Sequence, residues 1–321
     1  MTRLLVAALL AACAIASDAS AEAYPSKPVR LVVGFAPGGA ADTVARALSE
    51  PLGRALGQPI VIENRAGAGS SIAAENVAHS APDGYSILIA SPASISVNPA
   101  INPKLNYKPG DLLPVTKVST SPLVIVVNPS TGITSVKELV AAARKSPGKL
   151  NYSTSGVGSA PHFGAALFSQ VAGVEMVHVP FKGGSPAVVS LVAGDTQVSF
   201  ATPPSVLPMV KAGRLRALAV TSTERSSLMP ELPGMAEAGV PEYSIAFWYG
   251  IFVPAGTPPE IVKKLFEAIS VAAQRPEVKA TLGREGTEVV LSRSPEEFAS
   301  FLAEDARLWV RLAKESGATA D

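Results

Sequence analysis

The segment from Leu31 to Leu48 reads LVVGFAPGGAADTVARAL and decides the fold that we predict for this chain. Its first residues, Leu31–Phe35, are apolar and typical of a buried strand. A tight turn follows at Ala36–Gly39, and the next residues predict a helix that Asp42 or a neighbouring backbone group begins. This order places the free N–H groups of a helix start beside a loop with almost no side-chain bulk, which favours binding of a small anion. An alternative interpretation is that these residues form a strand–turn–helix unit with a purely structural role.

A second loop of the same kind lies further along the chain. Residues Tyr152–His162 read YSTSGVGSAPH, so a strand again ends in small residues and a helix begins, with Pro161 suited to its first turn. If two lobes face one another, these loops form opposite walls of one cleft, where small ligands commonly bind. The first loop is not a nucleotide fingerprint, because Gly38 and Gly39 are adjacent and no Walker lysine follows them.

The composition is that of a folded protein with a large core. The chain has 321 residues, of which 47% are apolar and 17% charged, and this length predicts two domains. Its formal net charge is +1 and no run of like charges occurs, so nucleic acid is not an expected partner.

The N-terminus has the pattern of an export signal. Arg3 precedes an apolar run, and the tripeptide Ala21–Glu22–Ala23 suits signal peptidase, so residues 1–23 are predicted to be a cleaved signal peptide. An alternative is lipoprotein processing before Cys13, which would leave that residue acylated. Cys13 is the only cysteine, so the processed chain that begins at Tyr24 has no disulfide. Later apolar runs are too short to span a membrane, and we expect a periplasmic protein.

Strand and helix patterns alternate twice along the chain. Three strand–helix steps between residues 31 and 90 predict a parallel sheet covered by helices, although Pro51 should kink or split the first helix. The stretch Asn98–Gly110 is interpreted as irregular. A helix that Ser135 and Glu138 should begin as a capping box leads into a second series between residues 150 and 220.

A strand at Ser244–Val253 is expected to return the chain to the first sheet. We therefore predict an α/β fold with two lobes, each a central, mostly parallel sheet covered by helices. Residues 24–123 and 246–321 form the first lobe, and residues 124–245 are inserted as the second.

Side chains suited to catalysis or metal binding are poorly placed. Serines are common, but no G-x-S-x-G elbow occurs, and of the three histidines only His162 lies near a candidate loop. No histidine or cysteine pair has metal-ligand spacing, so neither a metal nor a cofactor is expected. Asp42 is interpreted as a ligand contact or a helix cap and Asp195 as a turn residue. Phe35, Trp248 and Tyr249 line a pocket or belong to the core.

Several segments together resemble the Bug family, the periplasmic solute-binding proteins of tripartite tricarboxylate transporters. They cover essentially the whole chain after Ala23. The segments are Tyr24–Arg30, Phe35–Asp42, Glu63–Arg65 with Gly67–Gly69, Pro82–Tyr85, Tyr152–Ser153 with Gly156, Gly158–Ser159 and His162, Val179–Gly184, and Ala193–Asp195.

The resemblance implies a two-lobed clamshell of the type II periplasmic-binding kind that closes around a small carboxylate. Backbone groups and bridging water of the two loops would hold the carboxylate, and Asp42 would meet an amino group on some ligands. Carried over to this chain, the ligand-binding positions are Phe35, Ala36, Gly39, Ala40, Asp42, Ser155, Gly158, Ser159 and His162.

The implied partners are the ligand, which would be a di- or tricarboxylate, an amino acid or an aromatic acid, and membrane permease subunits. No cofactor and no catalytic residue are implied, and we expect a monomer. Two alternatives stay open at this point. The protein would instead be a periplasmic sensor that docks on a signalling receptor, or an exported hydrolase that uses the same cleft.

Overall fold

The computed structural model describes residues 24–315 and contains two β-sheets flanked by helices. The predicted signal peptide and the alternative lipid attachment at Cys13 lie outside the described residues. Within residues 24–315, no helix is both long and apolar enough to cross a membrane.

The strands are β1 (Val29–Val33), β2 (Ile60–Asn64), β3 (Ser86–Ala90), β4 (Leu112–Pro122), β5 (Val124–Val127), β6 (Asn151–Thr154), β7 (Val177–Pro180), β8 (Val198–Ala201), β9 (Arg216–Val220), β10 (Ala246–Pro254) and β11 (Glu288–Val289). The α-helices are α1 (Ala40–Leu56), α2 (Ser71–Ala78), α3 (Asn98–Ile101), α4 (Val136–Lys145), α5 (Ala160–Ala172), α6 (Gly184–Ala193), α7 (Pro203–Lys211), α8 (Pro259–Ala273), α9 (Pro276–Arg284) and α10 (Pro295–Glu315).

The first sheet has the strand order β11-β4-β10-β3-β1-β2 and the second has the order β7-β6-β8-β5-β9. We call the elements around the first sheet the first lobe and those around the second sheet the second lobe. Strands from both ends of the chain form the first sheet, as the predicted division requires. The exact limits of the two lobes stay a prediction.

Both sheets are mixed, so the prediction of mostly parallel sheets is wrong in its proportion. In the described part of the chain, β1 pairs parallel with β2 and β3, whereas β10 pairs antiparallel with β3 and β4. In the second sheet β6 pairs parallel with β7 and β8, while β5 is antiparallel to β8 and β9. The crossing strands β5 and β10 cause the difference, because each enters its sheet from the other lobe and runs against its neighbours.

Helix α1 packs on the first sheet through an apolar stripe. Val44, Leu48, Leu52 and Leu56 are buried, and a glycine cap at Gly57 in the left-handed conformation ends the helix. The helix runs unbroken through Pro51, so it is not split as one prediction allowed. Proline loses one backbone hydrogen bond here, and burial of the apolar stripe outweighs that loss.

Two further local predictions need correction. The stretch interpreted as irregular contains α3, which follows a π-helical turn over Ala93–Val97. Pro99 is tolerated there because it lies in the first turn of α3, where its missing N–H is not needed. At the start of α4 the Ser135 hydroxyl accepts from the Glu138 N–H, but the Glu138 carboxylate accepts from Thr134 instead of completing the capping box.

The two chain crossings between the lobes lie side by side. Leu123 alone separates β4 from β5, and the return crossing reaches β10 through Ile245. The Thr221 hydroxyl accepts a 2.7 Å hydrogen bond from the Leu123 N–H and donates a 2.7 Å hydrogen bond to the Ile245 carbonyl oxygen. Thr221 is fully buried, so its side chain ties the two crossings together.

Candidate functional site

A small enclosed cavity lies between the two lobes, and we call it the inner chamber. Its volume is about 20 Å³, which is room for about one water molecule. The residues that line it come from both lobes and carry no formal charge: Phe35, Gly39, Ala40, Ala41, Ser91, Ser155, Ser159, Ala160, Pro161, Gly184, Thr202, Ser205, Phe247 and Tyr249.

Four helices begin at the inner chamber. Their N-cap residues are Gly39 for α1, Ser159 for α5, Gly183 for α6 and Thr202 for α7, and in none of them does the N-cap side chain accept a hydrogen bond from the helix. Each helix start carries a partial positive charge from its aligned peptide dipoles. Four positive helix ends repel one another unless a negative group lies among them, so the arrangement favours an anion.

The lining also supplies hydroxyl donors and an aromatic wall. The Thr202 and Ser205 hydroxyls lie 2.8 Å apart, and the Ser159 hydroxyl donates to the Gly156 carbonyl oxygen. Phe247 and Tyr249 are two residues apart in β10 and therefore face the same side, whereas Trp248 faces away and donates to Asp305. Burial raises the pKa of Tyr249, so its hydroxyl stays protonated and able to donate.

A larger outer chamber continues from the inner one and shares Phe35 and Ser155 with it. Its volume is about 360 Å³, within the range of small-ligand pockets. Its lining combines loop residues of the first lobe with residues of the second: Phe35, Gly67, Ala68, Gly69, Ser70, Ser71, Asn98, Asn102, Ser155, Gly156, Val157, Pro180, Phe181 and Lys182. Lys182 is charged and no acidic residue belongs to this lining.

Five predicted site residues line the chambers, namely Phe35, Gly39, Ala40, Ser155 and Ser159. The other four, Ala36, Asp42, Gly158 and His162, do not belong to the lining of either chamber. Whether any of the nine contacts a ligand stays a prediction.

Asp42 anchors the first loop. It is 2% exposed, and its carboxylate accepts from the Gly38 N–H at 2.9 Å, from the Arg46 guanidinium at 2.7 and 3.1 Å, and from the Asn64 amide at 3.0 Å. Burial alone would raise the pKa of this carboxyl, but the hydrogen bonds from Arg46, Gly38 and Asn64 outweigh burial and hold the pKa below its usual value. Four donors fill its acceptor positions, so Asp42 shapes the loop in this structure.

His162 supports the second loop from below. Its Nδ1 atom accepts from the Gly158 N–H at 3.3 Å, and its ring stacks on His178 with centroids 4.1 Å apart. The Nε2 atom of His178 lies 2.6 Å from the Thr154 hydroxyl. Burial lowers the pKa of His162 to about 3, with a smaller contribution from His178, and burial lowers the pKa of His178 to about 4. Both rings are therefore neutral at pH 7.

The lobes touch along a seam of small residues. The Ser185 hydroxyl donates a 2.9 Å hydrogen bond to the Pro37 carbonyl oxygen. A methyl group on Gly183 would lie 2.9 Å from the Ala36 backbone nitrogen, and one on Gly69 would lie 2.5 Å from the Val157 carbonyl oxygen. Because these approaches leave no room for a β-carbon, glycine at the seam allows the lobes to lie this close together.

The sequence interpretation missed Ser91, Thr202 and Ser205. Ser91 directly follows β3 and Thr202 directly follows β8, and Ser205 lies in the first turn of the helix that Thr202 begins. The carboxyl ends of neighbouring parallel strands meet at one edge of a sheet, where ligands of open α/β sheets bind. A small hydroxyl residue just after each predicted strand is the signal that would have found Ser91 and Thr202.

Comparisons with known proteins agree with this architecture. The family model described as "Tripartite tricarboxylate transporter family receptor" matches residues 44–318. Protein BugT of Bordetella pertussis is 37% identical over 322 aligned residues, covering 99% of this chain and 98% of BugT.

Two solved structures from Rhodopseudomonas palustris are also similar. Rpa4515, solved with adipate, is 34% identical with a TM-score of 0.88, and the match covers 92% of this chain and 99% of that protein. MatC, solved with bound malate, is 32% identical with a TM-score of 0.84, and the match covers 90% of this chain and all of MatC. These matches confirm both the resemblance to the Bug proteins and the predicted two-lobed α/β fold.

Proposed function

Because this chain belongs to the tripartite tricarboxylate transporter receptor family, we propose that it captures a small carboxylate between its two lobes and delivers it to a membrane permease of that transporter type. It would act in the periplasm after cleavage of its signal peptide. Adipate and malate bound to similar proteins support the ligand class. The proposed role is binding and delivery, without turnover of the ligand.

The convergence of four helix starts on the inner chamber carries the proposal. Each helix dipole contributes roughly 0.3–1 kcal/mol toward binding a negative charge, and more where water is excluded. A hydrogen bond to a charged group adds about 1.5–3 kcal/mol. Micromolar affinity corresponds to about 8 kcal/mol, so several such contacts from both lobes account for it.

The small inner chamber suggests how the carboxylate is held. With room for about one water molecule, it suits a bridging water between the helix starts and a carboxylate at the junction with the outer chamber, near Phe35 and Ser155. Since that junction draws on both lobes, the ligand gains its full set of contacts only when the lobes are closed. Binding therefore shifts the protein toward the closed state.

The placement of the histidines bears on the hydrolase alternative. His162 and His178 bond to Gly158 and Thr154, and none of these four residues lines either chamber. A hydrolase needs a base within hydrogen-bond reach of the attacking hydroxyl. A transporter protein should release each acid unchanged, which mass spectrometry of the released ligand tests.

Titration calorimetry with matched acids and amides tests the ligand class. Adipate, malate, hexanoate and benzoate would be compared with adipamide and hexanamide, which keep the shape and lose the charge. We expect at least one acid to bind with micromolar or tighter affinity and its amide to bind much more weakly. Equal binding of acid and amide, or no binding of any acid, would overturn the proposal.

A pair of variants at Ala40 tests the location. Ala40 lines the inner chamber at the first residue of α1. Ala40→Asp places a fixed carboxylate there, and because acidic residues suit a helix start, the fold should tolerate the charge. Ala40→Asn has the same shape without the charge. We expect Ala40→Asp to bind the acid at least tenfold more weakly than Ala40→Asn. Equal loss in both variants would mean that the change in shape, and not an anion site, explains the effect.

Delivery is tested with the permease in vesicles. Uptake of the labelled acid should require this chain. If the chain binds the acid but uptake does not depend on it, the sensor alternative is favoured.

A further inference from the structure

The outer chamber is lined by a lysine that forms no ion pair with the side chains that the structure describes. Lys182 belongs to its lining, and among the side chains of residues 24–314 no carboxylate oxygen lies within 4.0 Å of the Lys182 ammonium. The lining contains no Asp or Glu that would neutralise this charge. Lys182 is exposed, and its ammonium offers three donors and a full positive charge, so an anionic group that enters the chamber would find a charged hydrogen-bond donor there.

Further donors lie on the first-lobe side of the same chamber. The Asn102 side-chain oxygen accepts from the Lys104 N–H at 2.9 Å, which leaves the amide nitrogen of Asn102 to donate. Helix α2 begins at the chamber with Ser71, and its N-cap side chain, on Ser70, makes no capping hydrogen bond. The positive end of this helix therefore adds to the charge of Lys182.

Apolar surface connects the two chambers. Phe35 lies at their junction, and Val157, Pro180 and Phe181 belong to the outer lining. Such a surface favours contact with methylene groups, whereas an ion would lose water there without gaining hydrogen bonds. The inner chamber favours one negative group and the outer chamber a second, with an apolar path between them.

We propose that Lys182 recognises the second carboxylate of a linear dicarboxylate whose first carboxylate lies at the inner chamber. This inference rests on the proposed function and narrows the proposed ligand class, because Lys182 would favour dicarboxylates over monocarboxylates of the same length. Lys182 is then a specificity-determining residue, and Asn102 supports it from the opposite lobe.

The test compares adipate with hexanoate, which have the same carbon chain and differ by one carboxylate. Calorimetry would be done on the full processed chain, on Lys182→Gln and on Lys182→Arg, with Lys149→Gln as the control. Lys149 is an exposed lysine outside both chambers. We expect the unmodified chain to bind adipate at least tenfold more tightly than hexanoate.

In Lys182→Gln the preference should fall to about twofold through loss of adipate affinity alone, with hexanoate affinity unchanged. Lys182→Arg should keep most of the preference because it keeps the charge, and Lys149→Gln should keep all of it. Equal binding of adipate and hexanoate by the unmodified chain would overturn this inference and leave the proposed function intact. An equal weakening of both acids in Lys182→Gln would likewise overturn this inference alone. Binding of neither acid, nor of any other acid tested, would overturn both.

Discussion

The Ser185 hydroxyl donates a 2.9 Å hydrogen bond to the carbonyl oxygen of Pro37, and this bond joins the second lobe to the first. Pro37 belongs to the turn before α1, and Ser185 lies in the first turn of α6. The bond connects the starts of two helices that border the inner chamber, so it requires the two lobes to lie close together there.

Removing this bond should weaken ligand binding. A neutral hydrogen bond contributes about 0.5–1.5 kcal/mol, so Ser185→Ala should raise the dissociation constant about two- to tenfold. Titration calorimetry with the acid of the panel that binds most tightly measures this change in the dissociation constant. Ser146→Ala, at an exposed serine after α4, is the control and should bind normally. Unchanged affinity in Ser185→Ala would show that the bond does not favour the closed state.

A methyl group at Gly69 should prevent closure. Gly69 has a φ of 56°, and its added β-carbon would lie 2.5 Å from the Val157 carbonyl oxygen of the other lobe. Gly132 has a similar φ of 71°, and apart from its chain neighbours no described residue has an atom within 4 Å of an added β-carbon. Both alanine variants should lose about 1–2 kcal/mol of unfolding free energy from the left-handed backbone. Only Gly69→Ala should also lose more than tenfold in affinity, and equal binding by the two variants would contradict the role of the seam.

Asp42→Ala should weaken binding of every acid alike. The change leaves the Gly38 N–H without its acceptor and removes one of the two acceptors of the Asn64 amide nitrogen, which keeps the Phe35 carbonyl oxygen. We therefore expect a loss of about 1–3 kcal/mol in unfolding free energy and a disordered first loop. Glu50→Ala is the matched control on the same helix. Glu50 also pairs with an arginine four residues on, but its side chain is 79% exposed, and exposed pairs contribute little.

Calorimetry with amino acids and with plain carboxylates distinguishes the two roles of Asp42. Selective loss of ligands that carry an amino group would identify Asp42 as a ligand contact, as the family resemblance implies. Weaker binding of all the acids would instead agree with the role of Asp42 as the anchor of the first loop.

The buried histidines should make stability depend on pH. In the unfolded chain histidine has a pKa of about 6.5. In the folded protein burial lowers the pKa of His162 to about 3 and that of His178 to about 4. The unfolded state then binds more protons below pH 6.5, so stability is complete above that pH and falls as the pH falls toward the folded values.

Between pH 7 and pH 5 the loss should be about 2 kcal/mol for each histidine. Urea unfolding between pH 5 and pH 7 measures this loss of unfolding free energy. The double variant His162→Gln with His178→Gln should have an unfolding free energy that depends much less on pH. Equal pH dependence in both proteins would show that these rings are not the groups that titrate.

Local patterns were sufficient for many elements because the spacing of apolar residues indicates the buried face of each strand and helix. The two predicted series of alternating strands and helices, between residues 31 and 90 and between residues 150 and 220, occur in the structure. Local pattern also indicated the two loops, and the family resemblance then implied the individual site positions, of which Phe35, Gly39, Ala40, Ser155 and Ser159 line the chambers.

The amino-acid sequence by itself determined the two-lobed α/β fold, the family, and the two loops with helix starts suited to an anion. Only the tertiary structure decided which strand ends become neighbours. Parallel pairing brings the end of β3 beside β1 and the end of β8 beside β6, so Ser91 and Thr202 reach the chamber. Antiparallel pairing of β10 with β3 brings Tyr249 to the same edge.

The roles of Asp42 and Lys182 also depended on tertiary contacts. Asn64, 22 residues away in sequence, makes Asp42 a loop anchor, and the absence of an acid from the described lining around Lys182 leaves its charge for a ligand. The sequence determines which chemical groups the side chains carry. The hydrogen-bond and charge partners of those groups depend on how distant segments of the chain fold together.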